Sequence, residues 1–191
     1  MTNIATTFAD LFIGYLLGSI NTAVIMGKLY GKNIRSHGSK IAGLTNTLRV
    51  LGKSAAALLG DILKGVVACI IGLNFGICVH SSEGRECISL LAAGTGAVFG
   101  HNWPVYFGFK GGKGALTATA VMFINNWPID LISFFVFLII VVLTRYVSLG
   151  TMCAAIFFVT ISFIPFFDRK NIRRLLSGTE SKLTFDAVAA E

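Results

Sequence analysis

The stretch GHNWPVYFGFKGGKG, Gly100 to Gly114, sets glycines, two lysines, a histidine and a proline inside an otherwise apolar chain. Its last four residues, Gly111, Gly112, Lys113 and Gly114, join a loop to the start of an apolar segment. A glycine-rich turn at a helix N-terminus presents free backbone N–H groups and the positive end of the helix dipole. Such a turn holds anions, and Lys113 adds a full charge. The GxxxxGK[ST] spacing of a nucleotide-binding P-loop is absent. Taken alone, the tetrapeptide reads equally as a flexible basic loop.

A second stretch, IRSHGSKIAGLTNTLRVLG, runs from Ile34 to Gly52. It offers turn chemistry at Gly38 and Gly43, hydroxyls at Ser39 and Thr45, an amide at Asn46, and cations at Arg35 and Arg49. Hydroxyl, amide and guanidinium donors together can surround a phosphate; an ordinary basic loop has the same composition. Asp61 and Lys64 lie one helical turn apart inside the next apolar segment. Ionisable groups at membrane depth are expensive and are paired or functional. An i,i+3 ion pair that orients the site and a direct catalytic role both fit. His101 is a candidate general base, or a structural histidine bonded to backbone where a helix ends. His37 and His80 have no evident partner. A serine nucleophile or a His/Asp acyl-transfer site is not supported, since GxSxG, HxxxxD and paired carboxylates are all absent.

The elements that position these residues are membrane helices. Of 191 residues 54% are hydrophobic and only 13% charged, with a mean hydropathy of +0.77. A soluble domain of this size carries more surface charge. The apolar residues come in blocks, such as LISFFVFLIIVVL from Leu131 to Leu143, and about 20 such residues span a bilayer. The expected fold is all-α: a polytopic helical membrane protein with six apolar segments. These lie near 11–29, 54–79, from 88 into the glycine-rich loop, 115–124, from 131 to 144, and 149–167. Residues 1–168 read as one transmembrane domain, with motif loops at 30–53, 100–114 and 144–149. Residues 169–191 form a polar tail. Six of the 16 Lys and Arg residues fall between Lys28 and Lys53, and five between Arg169 and Lys182. Positive charge in short loops marks the cytoplasmic face, so the motif loops are expected inside and the N-terminus outside. That bias explains the net charge of +7 without nucleic acid as a partner. An outside start and an inside tail need an odd number of crossings, so with six segments either the last is a hairpin or re-entrant element or one helix is missing. Cys69, Cys78, Cys87 and Cys153 show no CxxC pair and no His at ligand spacing, so no metal is expected. Cys78 and Cys87 flank an outer loop and could form a disulfide. No cleavable leader stands out, because the N-terminus lacks a basic region.

Together these stretches resemble one family, the bacterial membrane acyltransferases that acylate glycerol 3-phosphate from acyl phosphate (PlsY). YLLGSI at Tyr15–Ile20 looks like the family's first helix. Ile34–Lys53 is similar to its motif IRxxGSGNxGATNxxRxLG, and Gly60–Gly65 (GDILKG) to its DxxKG. Gly100–Thr119 (GHNWPVYFGFKGGKGALTAT) matches its second motif, and Arg145–Gly150 (RYVSLG) is similar to its third turn. RKNIRRLLSGTESK at Arg169–Lys182 resembles its tail motif HRxNIxRLLxGTExK. The resemblance implies that Ser39, Arg49, Lys113, Ser148 and Asn171 surround the phosphates and the reacting centre. Gly38, Gly43, Thr45, Asn46, Gly111, Gly112 and Gly114 would bind substrate phosphate. Asp61, Lys64, His101 and Glu180 would support them. It further implies seven spans, a bacterial inner (cytoplasmic) membrane location, acyl phosphate and glycerol 3-phosphate as substrates, and the lipid bilayer as partner. No cofactor, metal or obligatory protein partner is implied. The chain departs from the pattern at Lys40 and Ile41, where the family usually has Gly and Asn. It departs again at Asp168, usually His, and in the short interval from Ser148 to Asp168. Two rival readings stand beside this one: a relative that binds phosphate esters without turnover, and a small-anion transporter.

Overall fold

The computed structural model describes residues 4–52, 55–75, 78–81 and 84–163. Seven α-helices account for most of them: α1 (Ile4–Gly18), α2 (Thr22–Leu29), α3 (Leu44–Leu51), α4 (Ala55–Phe75), α5 (Ile88–Asn102), α6 (Ala115–Thr144) and α7 (Val147–Phe163). A short antiparallel hairpin, β1 (Cys78–Ser81) with β2 (Gly84–Cys87), joins α4 to α5. Among the described residues, three helical stretches are long and apolar enough to cross a membrane: 4–29, 55–74 and 115–144. The burial pattern is that of a protein solvated by lipid. Phe8, Leu59, Leu63, Phe135 and Val142 face outward, while Ser19, Asn21, Asp61, Lys64 and His101 are buried.

The first apolar segment is two helices, not one. After Gly18 the chain leaves helical geometry, and Asn21 caps α2 by accepting from Val24 N–H at 3.1 Å. Asn is a strong N-cap because its side-chain oxygen satisfies an otherwise free helix donor. The basic loop expected at 30–53 contains α3. Its last turn closes at Gly52, whose φ of 68° is left-handed and whose N–H bonds Leu48 O at 2.8 Å. The turn expected at Asn125–Asp130 is instead a break inside α6. Asn126 alone leaves the helical region (φ −152°, ψ 74°). Two residues on, Pro128 can donate no backbone hydrogen bond, and it suits the first turn of a new helical arm. The loop expected outside is the β1–β2 hairpin, whose register sets Cys78 directly opposite Cys87.

Residues up to Asp130 form one compact unit and those from Leu131 another. In the first, α1 lies against α5 with backbones touching. A Cβ on Gly18 would strike Ala97 O, and one on Gly96 would strike Leu11 O. Small residues let membrane helices pack at this range, where lipid supplies no hydrophobic drive for association. In the second unit, the end of α6 turns into α7 at Arg145 (φ 60°), and Tyr146 N–H donates to Thr144 Oγ1 at 3.2 Å. Residues 164–191, which carry the tail motif, Asp168 and the end of the last apolar segment, lie outside the described residues.

Replacing Gly96 with Val should lower stability by about 1–3 kcal/mol, the usual cost of overpacking, whereas Leu63→Val on the exposed face of α4 should change it by less than about 0.5 kcal/mol. Thermal unfolding of the detergent-solubilised protein measures both. Equal effects would mean that α1 and α5 are not in backbone contact.

Candidate active site

The buried polar centre begins with the one-turn spacing of Asp61 and Lys64 on α4. Lys64 Nζ lies 3.0 Å from Asp61 Oδ1, and both side chains are almost fully buried. The ion pair expected from their spacing is present. It is also shared. Lys64 Nζ lies 2.7 Å from His101 Nδ1 and donates to Ile20 O at 3.2 Å. Asp61 Oδ1 accepts from Thr22 Oγ1 at 3.1 Å and lies 3.3 Å from His101 Nδ1. An ammonium has only donors, so at 2.7 Å it donates into the Nδ1 lone pair, and the ring proton belongs on Nε2. Among the described residues, the partners of Nδ1 are therefore side chains. Thr117 Oγ1, on α6, donates to Asp61 O at 3.0 Å. One cluster thus ties α2, α4, α5 and the start of α6.

The glycine-rich loop closes over this cluster. Gly111 N–H donates to Asn102 O at 3.1 Å and Gly112 N–H to His101 O at 3.0 Å. Gly112 has no room for a side chain: a Cβ would overlap His101 Nε2 and stand 2.5 Å from Ala42 O. Ala42 belongs to the first motif loop, so the two motif loops meet at Gly112. They are joined again where Arg35 Nη1 donates to Phe107 O at 2.9 Å. Lys113 is exposed at the head of α6.

Within the first loop, Asn46 is buried and fully used. Its Oδ1 accepts from Ser39 N–H at 2.9 Å, and its Nδ2 donates to Ile34 O at 2.8 Å and His37 O at 3.1 Å. Gly38 must be glycine on two counts: its φ is 61°, and a Cβ would overlap Asn46 Oδ1 and stand 3.3 Å from Arg49 Cδ. Gly38, Ser39, Asn46 and Arg49 are therefore neighbours. Ser39, Thr45 and Arg49 are exposed, and Gly43 opens α3. Lys40 holds φ 60°, a conformation that glycine adopts without cost. Ser148 stands in the first turn of α7, in the second unit. Asn171 and Glu180 lie outside the described residues.

Sequence reasoning missed Thr22, Thr117 and Ser19. Each is a single hydroxyl among apolar residues, and Thr22 and Thr117 find Asp61 far off in the sequence. Ser19 Oγ donates to Tyr15 O at 2.8 Å and accepts from Val105 N–H at 3.3 Å, while Tyr15 OH donates to Trp103 O at 2.9 Å. Together they pin the loop after α5 to the broken first span.

Fold and site define a polytopic helical membrane protein whose cationic, glycine-bearing loops rest on a buried charge cluster. Residues 8–185 match the family described as Glycerol-3-phosphate acyltransferase, and the chain belongs to that family. It is 42% identical over 196 residues to a glycerol-3-phosphate acyltransferase of Clostridioides difficile (strain 630), covering 90% of this chain and 92% of that one. It is 40% identical over 192 residues to one from Thermoanaerobacter pseudethanolicus (strain ATCC 33223 / 39E), with the same coverage, 90% and 92%. The fold is similar to the crystal structure of PlsY (YgiH), an integral membrane glycerol 3-phosphate acyltransferase, in its glycerol 3-phosphate form. That match has a TM-score of 0.73 and 33% identity over 97% of this chain and 99% of that one. The same protein's lysophosphatidic acid form matches with a TM-score of 0.67.

Lys64→Met leaves the Asp61 carboxylate buried without its ammonium and should destabilise the protein by roughly 3–5 kcal/mol. Asp61→Asn combined with Lys64→Met removes both charges and should recover at least half of that loss. Unfolding midpoints of the two variants in detergent check this. Equal midpoints would mean that the pair is not the electrostatic unit described.

Proposed function

We propose that this protein transfers a fatty acyl group from acyl phosphate to the 1-hydroxyl of glycerol 3-phosphate, giving lysophosphatidic acid and inorganic phosphate. What carries the reading is the family, together with the meeting of two phosphate-suited loops at Gly112. The hydroxyl oxygen attacks the acyl carbonyl, the carbon–oxygen bond to phosphate breaks, and the departing phosphate takes the hydroxyl proton. The donor is a mixed anhydride, so the phosphate leaves readily. Positioning, and donors aimed at the developing oxyanion, supply the acceleration. Ser39, Arg49, Lys113, Ser148 and Asn171 are the proposed donors around the phosphates and the reacting centre. Backbone N–H groups of the glycine-rich turn join them, and Glu180 supports them from the tail. Asp61, Lys64 and His101 hold the loop that presents Lys113. Lysine and arginine bias turns these loops to the cytoplasmic face of a bacterial inner membrane, and the acyl chain reaches them from the bilayer.

A second reading, phosphate-ester binding without turnover, is favoured by Ile41, which stands where the family usually has Asn. One assay separates the two. Purified protein with glycerol 3-phosphate should release phosphate from acyl phosphate and form no product from acyl-CoA. Equal rates with acyl-CoA would remove the donor assignment, and silence with both donors would favour the second reading.

Lys113→Ala should lower kcat/KM for glycerol 3-phosphate by about 10- to 150-fold, since a charge-assisted contact contributes about 1.5–3 kcal/mol. Arg49→Lys should also lower it, because an ammonium cannot reproduce the guanidinium fork. Steady-state kinetics varying glycerol 3-phosphate test both, and an unchanged kcat/KM in Lys113→Ala would exclude that residue from the phosphate site.

A further inference from the structure

A cavity of about 490 Å³ opens beside the first motif loop, lined by Lys28, Lys32 and Arg35 with Tyr106 and Phe107. Its residues are not those proposed around the reacting phosphates. Three cations share it, and none of its lining residues is acidic. Two of them lie over the Phe107 ring, Lys28 Nζ 5.6 Å and Arg35 Cζ 5.9 Å from its centre. Lys32 is anchored by donating to Val50 O at 3.1 Å.

Arg35 is the group that calls for a ligand. Its Nη1 is used by Phe107 O. Its Nε and Nη2 are shut from solvent and have no partner among the described residues. Those two nitrogens form one edge of the guanidinium, the edge that grips a carboxylate or phosphate with two parallel bonds. Buried donors left unpaired are costly, and more so when charged. Burial also lowers the Arg35 pKa from its ordinary value, and an anion in the cavity would oppose that shift. Trp103, Tyr106 and Phe109 are exposed around the same loop, as aromatic side chains are at the headgroup level of a bilayer.

We propose that Lys28, Lys32 and Arg35 form a second phosphate site, separate from the glycine-rich turn, that takes the phosphate of an anionic lipid headgroup or free phosphate. A dianion answers the three cations that line the cavity. The site does not depend on the acyl-transfer reading, because it is defined by binding.

The test is equilibrium binding to the full-length protein in detergent, carried out in the Lys113→Ala background to weaken the glycine-rich turn. The probes are dihexanoyl phosphatidate, dihexanoyl phosphatidylcholine and inorganic phosphate. Phosphatidate should bind more tightly than phosphatidylcholine, and Lys28→Gln and Arg35→Gln should each raise its Kd by roughly tenfold. The Lys28 side chain makes no hydrogen bond among the described residues and only lies over the Phe107 ring, so it keeps the test valid if Arg35→Gln fails to fold. Competition by inorganic phosphate would identify free phosphate as the natural occupant. Phosphatidate binding that phosphate cannot displace would identify the lipid headgroup. An unchanged phosphatidate Kd in Lys28→Gln, or equal affinity for phosphatidylcholine, would overturn the proposal. Because no turnover is read, a protein that fails to acylate glycerol 3-phosphate can still pass this test, and an active one can fail it.

Discussion

A backbone carbonyl surrounded by apolar groups must find a donor, and much of this structure follows from how Ile20 finds one. In an unbroken helix Ile20 O would accept from Val24 N–H. The Asn21 side chain takes that N–H instead, and the freed carbonyl receives the Lys64 ammonium. The break in the first span and the charge on α4 therefore sustain each other. Without Lys64, the carbonyl would be stranded. Without the break, Lys64 would lose an acceptor that an intact helix cannot offer. Irregular backbone at membrane depth is tolerated where protein groups satisfy it.

From that point a line of contact runs to the proposed chemistry. Lys64 fixes His101, and the imidazole face toward Nε2 leaves room for glycine alone at position 112. The turn bearing Lys113 thus rests on a side chain that is itself held by a buried ion pair. Asn46 does the same work in the other loop, with its whole amide spent on backbone groups. Such rigidity suits a reaction driven by positioning, where a misplacement of about 1 Å can cost two orders of magnitude in rate.

The membrane class, the two motif loops and the Asp61–Lys64 pair were legible because each is written in composition or in one-turn spacing. What escaped was written in neither. The break at Ser19–Asn21 sits among residues that also fit a continuous span, and only Asn21's side-chain bond distinguishes the two. α3 lay hidden in a stretch whose glycines and cations read as loop, although Thr47 and Asn46 face inward along one side of it. At Asn125–Asp130 the polar residues suggested a turn, yet the chain resumes helical geometry after Asn126. Thr22 and Thr117 find Asp61 across 39 and 56 residues of sequence, and no local pattern encodes such a meeting.

The ion pair on α4 also bears on how the chain enters the bilayer. A nascent segment leaves the insertion machinery before its later neighbours exist, and a lone Asp or Lys near its centre opposes that step by roughly 2.5–3.5 kcal/mol. Asp61 and Lys64 sit one turn apart on the same helix, so α4 can neutralise itself while still alone. Thr22, which precedes it in the chain, can join at once; His101, which follows by 37 residues, joins only after α5 has been made. Moving either charge to a neighbouring helix would preserve the finished cluster while leaving α4 to cross into lipid as an uncompensated ion.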